Sequence, residues 1–282
     1  MGIFSAYARL FRIEHAIMLA AAVLIGELVS GGLPSFQILV FSLAVPIFIE
    51  MGSFVLNDCL DVEADNANKR RDRPIANKEI EKGHALAAAA ICYIIGVAAA
   101  FPLPSLAFYI ALAFAAASIL YDYKLKDLPL VGNAYIAASM AIPFIFGNLV
   151  VSNALLPQIL AITLVAFIAG LGREIIKSAE DVEGDKKHRG SKTLPAVIGV
   201  ENSLLFASAL YILLVPLSFL PFAWGLRENV LSLGLVAITA LSFLFMAVSA
   251  ARNHKKEELE SLRKASLASL AIGLLGYAAS MI

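Results

Sequence analysis

Residues 36–56 read Phe36-Gln-Ile-Leu-Val-Phe-Ser-Leu-Ala-Val-Pro-Ile-Phe-Ile-Glu-Met-Gly-Ser-Phe-Val-Leu56, and Asn57-Asp-Cys-Leu-Asp61-Val-Glu-Ala-Asp65 follows at once. The first stretch carries one charge, Glu50. About 20 mostly apolar residues are what a helix needs to cross the hydrocarbon layer. An acidic run at its end puts polar chemistry at a membrane surface.

The same pattern recurs along the chain. Hydrophobic residues fill 60% of the 282 positions and charged ones only 16%. A soluble domain is nearer half apolar and a quarter charged, so lipid is the main solvent of this fold. Apolar stretches at 13–30, 36–56, 85–102, 104–121, 131–151, 155–172, 203–222, 230–251 and 264–282 predict an all-α, polytopic membrane protein. It is a bundle of nine transmembrane helices forming a single domain over 1–282, with two long cytoplasmic loops at 57–84 and 173–202. The third and fourth spans separate at Phe101-Pro-Leu-Pro-Ser105, because proline ends a helix interior. The last span is rich in Ala, Ser and Gly, which suits close packing of helices in lipid.

Charge sets the orientation. Lys and Arg number 22, balanced by 22 acids, so the net charge offers no case for nucleic acid. All the basic residues but Arg227 fall on one side of the alternating spans. The positive-inside rule makes that side cytoplasmic. The N-terminus is then cytoplasmic and the C-terminus outside, in a multi-pass protein of the cell membrane. Arg9 and Arg12 precede a long apolar run without a small-residue cleavage site, so the N-terminus does not read as a secretory signal. Cys59 and Cys92 read as small apolar residues. Nothing points to an obligatory protein partner.

The polar chemistry sits in the two long loops. Asp61-Val-Glu-Ala-Asp65 is matched 120 residues later by Asp181-Val-Glu-Gly-Asp185, and basic residues and a proline follow each. This is an internal repeat of a functional element. If helix continues through the motif, Asn57, Asp61 and Asp65 stack on one face, as do Asp181 and Asp185, with Lys177 and Ser178 one turn earlier. Stacked carboxylates repel, so the arrangement calls for a cation. Carboxylate and amide oxygens suit Mg²⁺, which shares its coordination with substrate phosphates. The following Arg70, Arg71, Arg73, Lys186, Lys187, Arg189 and Lys192 can clamp phosphate oxygens or simply orient the protein. Tyr121-Asp-Tyr-Lys124-Leu-Lys126 is a third polar element on the same side: either phosphate contacts or interfacial anchors. Glu50 lies about two turns before Asn57, facing the same cavity or bonding a neighbouring helix. Glu14 and His15 stand at the cytoplasmic start of the first span. The charged run 252–264 reads as a connector, and His84, His188 and His254 as solvated.

Asn57-Asp58-x-x-Asp61-x-x-x-Asp65 with Arg71-Asp72-Arg73-Pro74 downstream, paired with Asp181-x-x-x-Asp185, resembles the UbiA superfamily of intramembrane prenyltransferases across essentially the whole chain. Arg173-Glu-Ile-Ile-Lys177-Ser-Ala-Glu180-Asp181-Val-Glu183-Gly184-Asp185 is similar to the second motif of archaeal members that make the second ether bond of archaeal lipids. That reaction transfers geranylgeranyl from its diphosphate to the free glycerol hydroxyl of geranylgeranylglyceryl phosphate. The chain departs from the family at Arg12-Ile-Glu-His15, where Arg-Pro-x-Asn is common, and lacks the usual Pro-Ser-Gly turn after Pro74.

The resemblance implies two Mg²⁺ ions bridging an isoprenoid diphosphate. Asn57, Asp61 and Asp65 hold one, and Asp181 and Asp185 the other. Asp61, Asp65, Asp181, Asp185 and Lys124 form the candidate catalytic set. Asn57, Asp58, Arg71, Arg73, Tyr121, Tyr123, Lys126, Lys177, Lys192 and Arg12 form the candidate substrate contacts. The acceptor is lipid-like and phosphorylated. Tyr121, Tyr123 and Phe54 are candidates to stabilise an allylic cation, in a tunnel kept dry by the apolar spans. Two other readings stay open: prenylation of an aromatic acceptor, and an ion transporter, which would also carry repeated halves and intramembrane acids. Against the transporter, these acids gather at one cytoplasmic mouth.

Overall fold

The computed structural model describes residues 3–67, 70, 72–189, 193–252 and 255–282, with the side chains of 67 and 183–189 excepted. The described residues form helices joined by turns and contain no strand. In lipid a helix satisfies its own backbone polar groups, which a lone strand cannot do. The helices are α1 (Ile3–Phe11), α2 (Ile13–Ser30), α3 (Phe36–Leu60), α4 (Val62–Ala67), α5 (Lys82–Ala100), α6 (Ser105–Tyr123), α7 (Val131–Val151), α8 (Pro157–Arg189), α9 (Leu194–Ile198), α10 (Val200–Leu217), α11 (Leu220–Ala223), α12 (Val230–Arg252) and α13 (Lys256–Ala279).

Among the described residues, eight helices are long and apolar enough to cross a membrane, with α10 and α11 counted as one span. The ninth predicted span lies in α13, whose first turns are charged and whose apolar part begins near Ala265. The Pro102–Pro104 break falls where predicted, between α5 and α6. Two features differ from the sequence reading. A short helix, α1, precedes the first span. And 173–202 is no open loop: α8 runs from the bilayer through the second acidic motif as one 33-residue helix. Arg173-Glu-Ile-Ile-Lys-Ser-Ala-Glu is made of residues with fair to strong helix propensity and holds no proline. Polarity ended the span in the sequence, but polarity alone does not end a helix.

The chain forms two compact units: residues 1–24 with 33–126, and 25–32 with 127–282. In the first, α3 packs against α5, α6 and α1. The end of this unit that carries the first acidic motif holds a core of Ala6, Leu10, Val55, Leu56, Cys59 and Ile75, extended by Ile80, Ala85 and Ala89. Burial of Ile75 and Ile80 folds the segment after the first motif back onto α1 and α3. In the second unit α8 is central and packs against α7, α10, α11 and α13.

Close approach of helices in lipid depends on small residues. Gly26 on α2 and Phe144 on α7, both in the second unit, show the limit: a Cβ on Gly26 would lie 2.5 Å from the Phe144 carbonyl oxygen. Backbone cannot yield as a side chain can. Gly26→Ala is therefore expected to cost about 1–3 kcal/mol, read as a fall in the Tm of the detergent-purified protein. Gly83→Ala, where an added methyl group meets nothing within 4 Å, is expected not to lower it.

Candidate active-site residues

In the first unit the site begins where α3 ends. Asp61 leaves the helix (φ −93°, ψ 7°), and α4 starts at Val62. The break is slight. The Asp61 N–H donates to the Asn57 carbonyl at 2.9 Å, and the Asp65 N–H to the Asp61 carbonyl at 2.8 Å. The helical spacing of Asn57, Asp61 and Asp65 thus survives in the backbone bonding.

Basic side chains meet these acids. Arg12 lies between α1 and α2 with a left-handed backbone (φ +45°), unusual for a residue with a side chain. Its guanidinium donates to Asp58 Oδ1 at 2.5 Å and lies 4.2 Å from the centroid of the Phe54 ring. Arg73 donates to the same Oδ1 at 2.8 Å and stands 3.9 Å from Asp65 Oδ2. Lys126 donates to Asp61 Oδ1 at 2.7 Å. Asp58 is 2% exposed, so its charge depends on these partners. Arg70 and Asp72 pair at the exposed rim. The hydrogen bond from Arg70 holds the Asp72 carboxyl below its usual range.

Of the candidates from the sequence, this unit brings together Asn57, Asp58, Asp61, Asp65, Arg12, Arg73 and Lys126. Tyr121 is half-buried, while Tyr123 and Lys124 are exposed at the end of α6. One face of Phe54 carries Arg12. Arg71 lies outside the described residues. One participant was missed: Asp122, 2% exposed, accepts a hydrogen bond from Asn57 Nδ2 at 2.8 Å. The sequence held a signal, an acid inside the last turn of an apolar span, which is functional by default.

In the second unit the motif rides on α8. Asp181 is half-buried. Asp185 lies among the side chains outside the description, as do Lys186, Lys187 and Arg189, and Lys192 lies outside the described residues. Lys177 is exposed and 3.9 Å from Glu174, which also pairs with Arg173. Two contacts fix this charged extension. Asn133 of α7 donates to the Glu174 carbonyl at 3.0 Å and to Ser178 Oγ at 2.7 Å. Arg263 of α13 donates to Glu180 at 2.8 Å. Arg263 stands in the run read from sequence as a connector. Its role as a brace for the residue beside Asp181 comes from the packing of α13 on α8.

Among the described residues no three His, Cys, Asp or Glu side chains gather in a metal-binding group. The donors of the first motif nevertheless suit a hard cation, being carboxylate and amide oxygens. Asp58 Oδ2 and Asp122 Oδ2 are buried without a hydrogen-bond partner. A buried acceptor left unmet costs about 1–3 kcal/mol, a cost that a cation or a water beside it removes.

The UbiA prenyltransferase family model matches residues 17–271. A digeranylgeranylglyceryl phosphate synthase of Archaeoglobus fulgidus is 34% identical over 277 residues, 95% of this chain and 92% of its own. One of Pyrococcus abyssi is 37% identical, covering 78% of this chain and 79% of its own. The fold matches a solved structure described as digeranylgeranylglyceryl phosphate synthase in membranes, with TM-score 0.80, 29% identity and coverage of 100% and 99%. It also matches a UbiA homologue of Archaeoglobus fulgidus bound to GPP and Mg²⁺, with TM-score 0.70, 21% identity and coverage of 97% and 99%.

The shared Asp58 carboxylate makes a stability prediction. Asp58→Ala leaves Arg12 and Arg73 half-buried without their main partner, a loss of about 3 kcal/mol. Asp72→Ala removes an exposed pair with Arg70 and a looser 3.6 Å contact to Arg73, and is expected to cost less than about 1 kcal/mol. Thermal unfolding of the two variants in one detergent checks the contrast.

Proposed function

Because the chain belongs to the UbiA prenyltransferase family, we propose that it transfers a geranylgeranyl group from geranylgeranyl diphosphate to the free glycerol hydroxyl of geranylgeranylglyceryl phosphate, the second ether bond of archaeal membrane lipids. The observation that carries the reading is the cluster at the end of α3: oxygen donors for a divalent ion, ringed by Arg12, Arg73 and Lys126. The family match over residues 17–271 takes in both acidic motifs and favours a single prenyltransferase domain.

Asn57, Asp61 and Asp65 would hold one Mg²⁺, and Asp181 and Asp185 a second. When bound, the metal draws charge from the leaving diphosphate. The chain's own cations do the rest of that work. Arg12, Arg73 and Lys126 donate hydrogen bonds to phosphate oxygens, and charge-assisted bonds of this kind are the strong ones. Lys124, Lys177 and Lys192 are further candidates for phosphate contacts. The acceptor hydroxyl oxygen forms its bond to C1 as the bond from C1 to the diphosphate oxygen breaks, and the hydroxyl proton leaves with the diphosphate. Tyr121, Tyr123 and Phe54 are the aromatic candidates for the transient allylic cation. The basic residues favour a cytoplasmic mouth, with the N-terminus inside and the C-terminus outside.

The test supplies detergent-purified protein with geranylgeranyl diphosphate and geranylgeranylglyceryl phosphate, with and without Mg²⁺, and detects the doubly prenylated lipid by mass spectrometry. Product is expected only with Mg²⁺, and is expected to fall at least about 100-fold in Asp61→Ala and in Asp181→Ala, the scale of a lost electrostatic stabiliser. Release of diphosphate only with an aromatic acceptor would replace the glycerol lipid by that acceptor. No transfer to any acceptor would refute the reading.

A further inference from the structure

We propose that Asp122 is a positioning residue, which holds the Asn57 amide turned so that its carbonyl oxygen is presented to a divalent cation. The inference rests on the reading of Asn57 as a cation ligand given above.

An asparagine amide has two ends of similar shape and opposite chemistry, and only the oxygen can bind a cation. Free, the group turns over readily. A carboxylate offers acceptors alone, so the end of Asn57 that meets Asp122 is the nitrogen. The contact is 2.8 Å from Nδ2 to Oδ1. With that end committed, Asn57 Oδ1 points the other way.

The position of Asp122 is itself fixed. It sits one turn after Ser118, whose hydroxyl meets the Tyr93 hydroxyl of α5 at 2.7 Å and donates to the Ala115 carbonyl at 2.9 Å. One turn beyond Asp122, Lys126 donates to Asp61 Oδ1 at 2.7 Å. Asn57 and Asp61 are four apart in sequence, and so are Asp122 and Lys126. Two rungs therefore join the end of α6 to the first motif, one orienting an amide and one steadying a carboxylate. Both oxygens of Asp122 lie beneath the surface, and Oδ2 has no hydrogen-bond partner.

A simple staple between α3 and α6 would serve as well with asparagine at 122, because two facing amides still bond in either sense. Orientation would not survive that change. Asp122→Asn is therefore expected to keep the far-UV helical signal and a Tm near wild type, while Mn²⁺ affinity falls about tenfold or more, the usual effect of losing a partner that orients a ligand. Affinity is read by EPR of free Mn²⁺ during titration with Mn²⁺ alone, and the Mg²⁺ concentration for half-maximal transfer should rise in parallel. The exchange variant Asn57→Asp with Asp122→Asn restores one donor facing one carboxylate and is expected to recover most of the affinity. Equal Mn²⁺ affinity in wild type and Asp122→Asn overturns the inference and leaves the function standing. A fall in Asp122→Asn that the exchange does not recover also overturns it. Should Asp122→Asn alone fail to fold, the exchange variant decides: near-wild-type affinity supports the inference, and a tenfold loss refutes it. Wild-type protein that neither binds Mn²⁺ nor transfers the prenyl group refutes the function, and this inference with it.

Discussion

One carboxylate organises the motif-bearing end of the first unit. Asp58 Oδ1 receives Arg12 from the junction of α1 and α2 and Arg73 from the folded-back segment after the first motif. Three stretches far apart in sequence meet at one oxygen. A buried charge cannot stay charged without partners, so the three must arrive together. The consequences reach the motif. Arg73, held by Asp58, stands between Asp58 and Asp65, and Arg12 is braced by Phe54, one turn before Asp58. The two guanidiniums are held in place beside Asp65, so in the proposed function they would meet a phosphate at little entropic cost.

The second unit solves the same problem with backbone. There the motif stays on a continuous helix, α8, and its orientation follows from braces along it. Asn133 secures the turn before the motif through a carbonyl and a hydroxyl. Arg263 secures Glu180, the residue next to Asp181. The two motifs are almost identical in sequence yet differ locally: one breaks from its helix at Asp61, and the other does not break at Asp181. Near-identical pentapeptides cannot account for that difference, so the surroundings must.

Much of this was legible in the chain itself. The spans, the turn at Phe101-Pro-Leu-Pro-Ser105 and the doubled acidic motif all follow from composition and spacing. What went unread shares a physical cause. Asp122 sat in plain view among Tyr121, Tyr123 and Lys124, but its importance lies in facing Asn57 across 65 positions. Arg263 looked like any charge in a connector until α13 packed on α8. The extension of α8 past the bilayer was hidden because hydropathy ends at Arg173 while helix propensity does not.

Sequence by itself determined that this is a multi-pass helical membrane protein with two acidic motifs. Apolar length and charge placement are properties of segments, and lipid leaves helices as the only means by which such segments satisfy their backbones. Only the tertiary structure decided which base faces which acid. Those pairings depend on how helices separated by tens of residues come to lie side by side, a matter of packing at small residues such as Gly26 and of burial at Ile75 and Ile80. No local pattern encodes that geometry.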